Sequence, residues 1–165
     1  MRFALIAFAL LVISIPRIRL FLKNIFSPAI RDEWTISEGE RDGLPMIVRF
    51  NAGLRSVLGD KRYPFRVGIA VPLQSPQPGG LPSSEENLAL NDIEDEIINL
   101  FNNHQRGFLS AVITTNAMKE YMVYSRTDTV ADIIDALNDQ FPGYAFQHYV
   151  ARDEAWEGYK NLIPV

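Results

Sequence analysis

The sequence contains no cysteine and only two histidines, and both shortages exclude classes of function. Without cysteine the chain forms no disulfide, no thiolate metal site and no cysteine nucleophile. The two histidines, His104 and His148, are too few for a histidine metal centre, and their spacing fits no ligand pattern. We therefore expect neither a metal ion nor a cofactor in this protein.

The sequence also lacks the motifs that mark common catalytic sites. It has no G-x-S-x-G serine motif, and neither histidine has an evident serine partner. The glycine-rich stretch at 79–82 lacks the lysine of a phosphate loop, and Glu85 and Glu86 follow it, where they repel phosphate. These absences predict no catalytic residue and favour a protein that is not an enzyme.

Charge is divided unevenly along the chain, whose net charge is −4. Residues 1–31 carry five basic residues and no acidic one, whereas residues 32–165 carry the other 11 basic residues and all 20 acidic ones. Binding to nucleic acid depends largely on contacts between basic side chains and phosphates. The acidic main part of the chain therefore predicts no nucleic-acid partner.

An uncharged apolar run extends from residue 3 to residue 15, and Arg17, Arg19 and Lys23 follow it. As a helix this run spans roughly 20 Å, less than the roughly 30 Å of a bilayer core. We interpret residues 1–31 as a membrane-anchor or signal segment, inserted through residues 3–26, and residues 32–165 as one domain. Export after signal cleavage and a buried N-terminal helix are the alternatives. The excess of cations after the run favours a cytoplasmic domain on a membrane.

The first part of the domain has the pattern of a β-hairpin. Segments 34–37 and 44–51 have strand composition, and Asp42-Gly43 between them is a strong signal for a hairpin turn. Ile47 and Arg49 are predicted to point away from the core. Four apolar residues of the second strand share the other face: Leu44, Met46, Val48 and Phe50.

The remaining segments alternate between strand and helix patterns. Apolar spacing predicts helices at 85–103 and 129–141, with Thr129 capping the second and Asp132 completing the capping pair. Asp153 predicts the start of a short final helix at 154–160. Strand patterns occupy four further segments: 65–73, 107–115, 118–126 and 144–152. A tight turn is predicted at Asn116-Ala117, between the second and third of these.

From residue 65 onward the predicted order is strand, helix, strand, strand, helix, strand. This order is typical of an α+β domain with the ferredoxin-like split βαβ (βαββαβ) sheet, in which both helices cover one face. The hairpin at 34–51 precedes it and extends the sheet at an edge that the sequence leaves open. An apolar N-terminal helix precedes the hairpin.

The sheet face without helices is the first candidate surface. It is interpreted either as an open binding platform or as a surface covered by the final helix and the long loop at 74–84. The phases of the last two strands stay open, so either Tyr124 or Tyr121, and either His148 or Tyr149, points there. Alternation places six other residues on this face: Arg66, Gly68, Ala70, Ser110, Val112 and Thr114.

Aromatic and charged residues near this face are the candidate binding residues. The spacing Asp153-x-x-Trp156-x-x-Tyr159 places two rings on one helical face, where they either line a pocket or fasten the final helix to the sheet. Asp92 and Glu96 of the first helix are interpreted as a solvated face rather than a cation site. The predicted binding residues are Arg49, Arg66, Tyr124, His148, Asp153, Trp156 and Tyr159.

Short motifs are spread over residues 32–162: Trp34, Gly43-Leu44-Pro45, Tyr63 to Val67, Gly80-Leu81-Pro82 with Glu86, Ile93-Glu94-Asp95, Tyr121 to Tyr124, and Asp153-x-x-Trp156-x-x-Tyr159. In these motifs the chain resembles the domain-of-unknown-function 695 family. The resemblance implies a bacterial protein of about this size. It implies no activity, because the family has none assigned.

Together these observations favour a non-catalytic protein-binding or regulatory module tethered to a membrane. Its protein partner binds either at the helix-free face around Arg66 and Tyr124 or at the acidic first helix. The alternative is a small enzyme with a cleft between the 74–84 loop and the final helix. A structural envelope component is a third hypothesis. The enzyme hypothesis requires four side chains to converge: Arg66, Tyr124, His148 and Asp153.

Overall fold

The structure is a computed structural model that describes residues 31–103 and 105–163. The apolar run interpreted as a membrane anchor and His104 lie outside the described residues, so what the sequence predicts for them stays a prediction. Within the described ranges, no helix is both long enough and apolar enough to cross a membrane.

The described residues form six strands, three α-helices and one 3-10 helix, which confirms an α+β chain. The strands are β1 (Trp34–Arg41), β2 (Leu44–Asn51), β3 (Phe65–Pro72), β4 (Gly107–Thr115), β5 (Met118–Ser125) and β6 (Gln147–Arg152). The α-helices are α1 (Ser84–Asn103), α2 (Ala131–Gln140) and α3 (Glu157–Lys160), and the 3-10 helix is Ala52–Val57.

All six strands belong to one antiparallel sheet in the order β1-β2-β4-β5-β3-β6. The N-terminal hairpin joins this sheet through β2, which pairs with β4 so that Ile47 lies opposite Thr114. β1 and β6 are the two edge strands. The sequence leaves this pairing open because the pattern of a hairpin does not specify which neighbouring strand it will extend.

The two hairpins close through turns with left-handed backbone conformation. Asp42 and Gly43 have φ angles of 54° and 79°, and Asn116 and Ala117 have φ angles of 49° and 56°. Two consecutive positive φ angles are typical of a type I′ turn, whose twist matches that of the strands it joins. Both predicted turns are present, although Ala117 occupies a position that favours glycine.

α1 and α2 pack on the same face of the sheet, as their apolar spacing predicts. Val67, Ile69 and Val71 of β3 belong to one buried cluster with residues of both helices. The helices contribute seven residues to it: Leu90, Ile93, Ile97, Phe101, Ile133, Ile134 and Leu137. This cluster is the main core, and the described part of the chain places no long helix on the other face of the sheet, which we name the helix-free face.

The start of α2 differs from the prediction. Val130, and not Thr129, precedes the helix, and no side chain caps its first turn. The Thr129 hydroxyl instead donates a hydrogen bond of 3.4 Å to Asp128. The predicted capping pair is wrong because Asp132 forms a salt bridge of 2.7 Å with Arg106, which lies just before β4.

A bulge in β4 reverses the predicted alternation of that strand. The pairing with β5 shifts at Ser110, between two cross-strand pairs: Leu109 with Val123, and Ala111 with Met122. Ser110 is the extra residue, and its hydroxyl donates a hydrogen bond of 2.7 Å to the Met122 carbonyl. Because one extra residue exchanges the two faces, Val112 and Thr114 face α1, and their predicted position on the helix-free face is wrong.

The bulge also determines which residues of β2 lie on the face that α1 covers. Arg49 pairs with Val112, a residue of the main core, and therefore lies on the face that α1 covers. The sequence groups the alternate residues of β2 correctly, but its prediction that Ile47 and Arg49 point away from the helices is wrong. Val48 and Phe50 are buried on the opposite face.

The final helix α3 covers the centre of the helix-free face. Tyr124 lies opposite Arg66 on this face, and the ring of Trp156 stacks on the Tyr124 ring with centroids 4.1 Å apart. Tyr159 is also fully buried. The interpretation that the final helix covers this face therefore fits the structure, and an open platform at Tyr124 does not.

Candidate functional site

Five of the seven predicted site residues meet on the helix-free face. The Tyr124 hydroxyl donates a hydrogen bond of 2.6 Å to Asp153 Oδ2, and Arg66 Nη1 lies 3.9 Å from the same oxygen. The backbone N–H of Tyr159 donates a bond of 3.1 Å to the Tyr124 hydroxyl oxygen. Trp156 packs against Tyr159 with ring centroids 6.2 Å apart.

This cluster holds α3 on the sheet. Asp153 accepts hydrogen bonds from the backbone N–H groups of Glu157 and Gly158, at 2.8 and 2.9 Å, and so satisfies the first turn of the helix. The Tyr159 hydroxyl donates a bond of 2.6 Å to the Asn51 carbonyl. The geometry supports the interpretation that the aromatic pair fastens the final helix rather than lines a pocket.

Two ionisable groups in the cluster have shifted pKa values. Burial raises the pKa of Asp153, but hydrogen bonds from Tyr124 and from the backbone of Gly158 and Glu157 outweigh burial and lower it below its usual value of 3.8. Burial and the bond to Asp153 raise the pKa of Tyr124. At neutral pH the pair is therefore an ionised acceptor and a protonated donor, which suits a permanent structural bond.

The other two predicted site residues, Arg49 and His148, lie elsewhere. His148 pairs with Ile69 and is exposed at the β6 edge, on the side that the helices cover. The four side chains that the enzyme hypothesis needs therefore do not converge. The predicted cleft between the 74–84 loop and the final helix has no support from their geometry.

Arg49 instead leads to a groove that the sequence does not reveal. Two separate cavities, of about 300 and 370 Å³, lie in succession along α1 on the side of the hairpin β1–β2. We name the whole the α1 groove. The first cavity, named the Lys119 cavity, is lined by Arg49, Ser84, Asn87, Asn91, Thr114 and Lys119 among others. The second, named the Asp95 cavity, is lined by Asp32, Trp34, Asn51, Glu94, Asp95 and Ile98 among others.

A salt bridge between Arg49 and Glu94 separates the two cavities. Arg49 Nη1 and Nη2 donate to Glu94 Oε2 and Oε1 at 3.2 and 3.1 Å, which is a two-pronged pairing. The Trp34 ring lies against the same guanidinium, 5.0 Å from Arg49 Cζ to the ring centroid. The pair joins β2 to α1 and fixes the width of the groove at its middle.

Lys119 is the most unusual residue of the groove. It is only 4% exposed, which is rare for a lysine. Its ammonium lies 5.7 Å from the centroid of the Tyr121 ring. Its Nζ donates one long hydrogen bond of 3.4 Å to Asn87 Oδ1. Burial lowers the pKa of Lys119; the charge of Glu94 opposes this shift and the charge of Arg49 adds to it.

The two halves of the groove carry opposite charge. Of the described residues, Arg49 and Lys119 line the Lys119 cavity and no acidic residue does. Asp32, Glu94 and Asp95 line the Asp95 cavity, and within residues 31–103 and 105–163 no basic residue lines it. An occupant of the whole groove would therefore have to present a negative group at one end and a positive group at the other.

Sequence reasoning misses this site because its central charged residues, Arg49, Glu94 and Lys119, come from three elements that meet only in the folded sheet. A signal is nonetheless present, since Lys119 and Glu94 occupy positions that the apolar periodicity reserves for the core. Lys119 alternates with the buried residues Tyr121 and Val123. Glu94, only 7% exposed, lies between Ile93 and Ile97 in the buried stripe of α1. In residues 31–103 and 105–163, no group of histidine and acidic side chains could hold a metal ion.

The fold and the groove define a small α+β domain built on one six-stranded antiparallel sheet. A family model described as a family of unknown function (DUF695) matches residues 32–163, and the chain belongs to that family. The resemblance seen in the sequence motifs is thereby confirmed. No curated protein and no solved structure matches the chain.

Proposed function

We propose that this chain is a non-catalytic protein-binding module, which holds an extended segment of its partner in the α1 groove. The observation that carries the proposal is the division of the groove into halves of opposite charge. Complementary charge at two ends of a site fixes the direction in which a segment binds and rejects segments of the wrong pattern. A regulatory role follows if the bound segment belongs to an enzyme.

The dimensions of the groove suit an extended peptide. From Ser84 to Asn102, helix α1 rises roughly 27 Å, which corresponds to about eight residues of extended chain. Trp34 and Ile36 lie on the groove side of the edge strand β1, and Ile36 is 63% exposed. They offer apolar contact area beside the charged cavities, as the centres of protein interfaces do.

The placement of the two sequence-predicted surfaces favours the α1 side. The helix-free face is occupied around Tyr124 by Trp156 and Tyr159, whereas the exposed acidic side of α1 borders the groove. We therefore place the partner at the first helix, the second of the two alternatives that the sequence leaves open.

The finer fold is part of the proposal. We assign the region from β3 to β6 to the ferredoxin-like split βαβ arrangement, with the hairpin β1–β2 added at its β4 edge. The strand order β4-β5-β3-β6 and the shared core of α1 and α2 support this assignment.

A membrane tether is a further part of the proposal, and the uncharged run at residues 3–15 supports it. We propose that residues 3–26 anchor the chain and that the domain lies on the cytoplasmic side. Membrane fractions washed with carbonate should retain the full chain and lose the variant Leu11→Arg, which places a charge within the run. A shortened N-terminus in the mass spectrum of the isolated protein would instead indicate a cleaved export signal.

Selection of peptides by the full chain, kept in a neutral detergent, tests the binding function. Random peptides of about ten residues would be displayed and enriched on the immobilised protein. Asn91→Trp places an indole in the Lys119 cavity, and Asn138→Trp makes the same change at an exposed site on α2. Enriched peptides should bind the wild type and Asn138→Trp equally, and should bind Asn91→Trp at least tenfold more weakly.

Two results would contradict the proposed function. One is a selection that enriches no peptide above the level seen with an empty support. The other is a set of enriched peptides that bind Asn91→Trp as tightly as the wild type, which would place the binding surface outside the groove.

A further inference from the structure

The Lys119 cavity contains a buried positive charge that the described residues do not balance. Lys119 is 4% exposed, and it forms no salt bridge with an acidic residue in the described part of the chain. An ammonium group has three donors, and Nζ uses one of them in a long bond to Asn87.

The nearby salt bridge does not supply the missing negative charge. Both oxygens of Glu94 accept hydrogen bonds from Arg49, so this carboxylate and this guanidinium neutralise each other. The three charged groups together, Arg49, Glu94 and Lys119, carry a net charge of +1. A buried charge is costly unless an opposite charge and hydrogen bonds compensate it.

We infer that the Lys119 cavity is a carboxylate-recognition site, which receives an Asp or Glu side chain of the partner segment. The inference rests on the proposed function, because it takes the partner to be a polypeptide lying in the α1 groove. The bound carboxylate pairs with Lys119 Nζ, and neighbouring neutral donors of the cavity complete its hydrogen bonding. Those donors are the amides of Asn87 and Asn91 and the hydroxyls of Ser84 and Thr114.

The charge balance favours a carboxylate over a phosphate group. A carboxylate brings one negative charge and neutralises the net charge of the three groups, whereas a phosphate brings nearly two. The excess negative charge would be repelled by the nearby Glu94 carboxylate. The cavity of about 300 Å³ accommodates the end of one side chain, which leaves the rest of the segment in the open groove.

Nuclear magnetic resonance of the full chain in a neutral detergent tests the site with small probes. Sodium propionate carries the carboxylate end of a glutamate side chain, propionamide is its neutral counterpart, and inorganic phosphate is the competing anion. All three are added at equal ionic strength. Propionate should shift the backbone amide signals of Asn87, Asn91 and Lys119 in a saturable manner, and propionamide should not.

Three variants separate recognition of the charge from an effect on folding. Lys119→Met and Lys119→Gln remove the charge, and Lys160→Met removes an exposed lysine on α3 as a control. The affinity for propionate should fall roughly tenfold to a hundredfold in both Lys119 variants, the loss expected for a charged hydrogen bond. Lys160→Met should bind propionate like the wild type.

Several outcomes would overturn the carboxylate site. They are saturable shifts of equal size with propionamide, propionate binding that survives in both Lys119 variants, and binding of phosphate without binding of propionate. If propionate leaves the three signals unchanged while peptides still bind in a manner that Asn91→Trp blocks, the inference fails and the proposed function stands. If propionate binds and no peptide does, the proposed function fails and the anion site stands.

Discussion

Tyr124 and Asp153 form a hydrogen bond of 2.6 Å that joins the centre of the sheet to the start of the last helix. The bond lies beneath the stacked ring of Trp156, and Tyr159 donates its backbone N–H to the same hydroxyl. Because the hydroxyl both donates and accepts here, its loss would leave the buried Tyr159 N–H without a partner and would remove one of the hydrogen bonds that Asp153 Oδ2 accepts. The pair is therefore a polar link between α3 and the helix-free face.

Tyr124→Phe is expected to destabilise the domain by about 1–3 kcal/mol, the cost of leaving buried hydrogen-bonding groups unsatisfied. Urea denaturation followed by circular dichroism measures this change in the free energy of unfolding. Tyr149→Phe is the matched control, because the Tyr149 hydroxyl bonds to Glu120 at an exposed position. A loss in Tyr149→Phe as large as that in Tyr124→Phe would contradict the central role of the buried pair.

The lowered pKa of Asp153 predicts a dependence of stability on acid. A group whose pKa is lower in the folded state stabilises the fold above its unfolded pKa, and this contribution disappears as pH falls through the folded pKa. The wild type should therefore lose stability below about pH 4 relative to Asp153→Asn, which does not titrate. Unfolding free energies of the two proteins between pH 7 and pH 2 give the difference, which should shrink as pH falls. A difference independent of pH would mean that the Asp153 pKa is not lowered.

Removal of the buried charge at Lys119 should stabilise the unliganded protein. Lys119→Met is expected to raise the free energy of unfolding by about 1 kcal/mol or more, because an apolar side chain fills the position without a desolvation cost. Such a gain on loss of a polar residue is typical of binding sites. Urea denaturation of both proteins measures it, and a marked loss of stability in Lys119→Met would indicate a structural role for the lysine.

The same residue predicts a second dependence on pH. Burial lowers the Lys119 pKa, so the protonated lysine reduces the free energy of unfolding. This penalty is fully present at every pH below the folded pKa. As pH rises from the folded pKa towards the unfolded value of about 10.4, this penalty disappears. The advantage of Lys119→Met over the wild type should therefore narrow in alkaline solution. The comparison between the two proteins cancels the titration of their common groups, including Tyr121.

Glu94→Gln should destabilise the domain by about 1–3 kcal/mol, because it leaves Arg49 and Lys119 without a negative charge between them. Asp92→Asn, an exposed acidic residue two positions earlier on the same helix, is the control and should change stability by less than about 0.5 kcal/mol. Thermal and urea denaturation check both values. Equal effects of the two substitutions would show that the loss comes from helix charge in general and not from the Arg49 pair.

Ala117→Gly should stabilise the domain by about 1 kcal/mol, because Ala117 has a φ of 56° in a turn where glycine has no steric penalty. Ala136→Gly makes the same change inside α2, where glycine is unfavourable, and should destabilise by a similar amount. Urea denaturation midpoints give the sign of the change in stability for each variant. Opposite signs for the two variants would support the left-handed conformation of the turn. A loss of stability in both variants would argue against a left-handed conformation at Ala117.

Local patterns predict most of the fold. The Asp42-Gly43 and Asn116-Ala117 turns and the spans of both long helices follow from rules that involve only neighbouring residues. The errors arise where a distant contact overrides the local rule. Asp132 has the right position for a capping pair, but its carboxylate instead forms a salt bridge with Arg106 from another segment.

The candidate site is harder to predict than the fold, for the same reason. Trp156 and Tyr159 are recognisable as one unit from their spacing of three residues, although Trp156 precedes α3 with a φ of 59°. Arg49, Glu94 and Lys119 lie far apart in the sequence, and their meeting depends on which edge the hairpin joins and on a bulge that no local pattern announces. The sequence signal for this site is a charged residue at a position where the apolar pattern predicts the core.

The bulge in β4 makes the identity of the two layers depend on how one residue is paired more than on residue type. A regular ladder that included Ser110 would turn Ala111 and Ile113 under α1 and move Val112 out of the main core, although no residue of the sequence had changed. Deletion of Ser110 would instead preserve the two faces, because Ala111 would then follow Leu109 in the register that it already has with Met122. Members of the family that share this groove and have a β4 shorter by one residue should therefore have the gap at position 110.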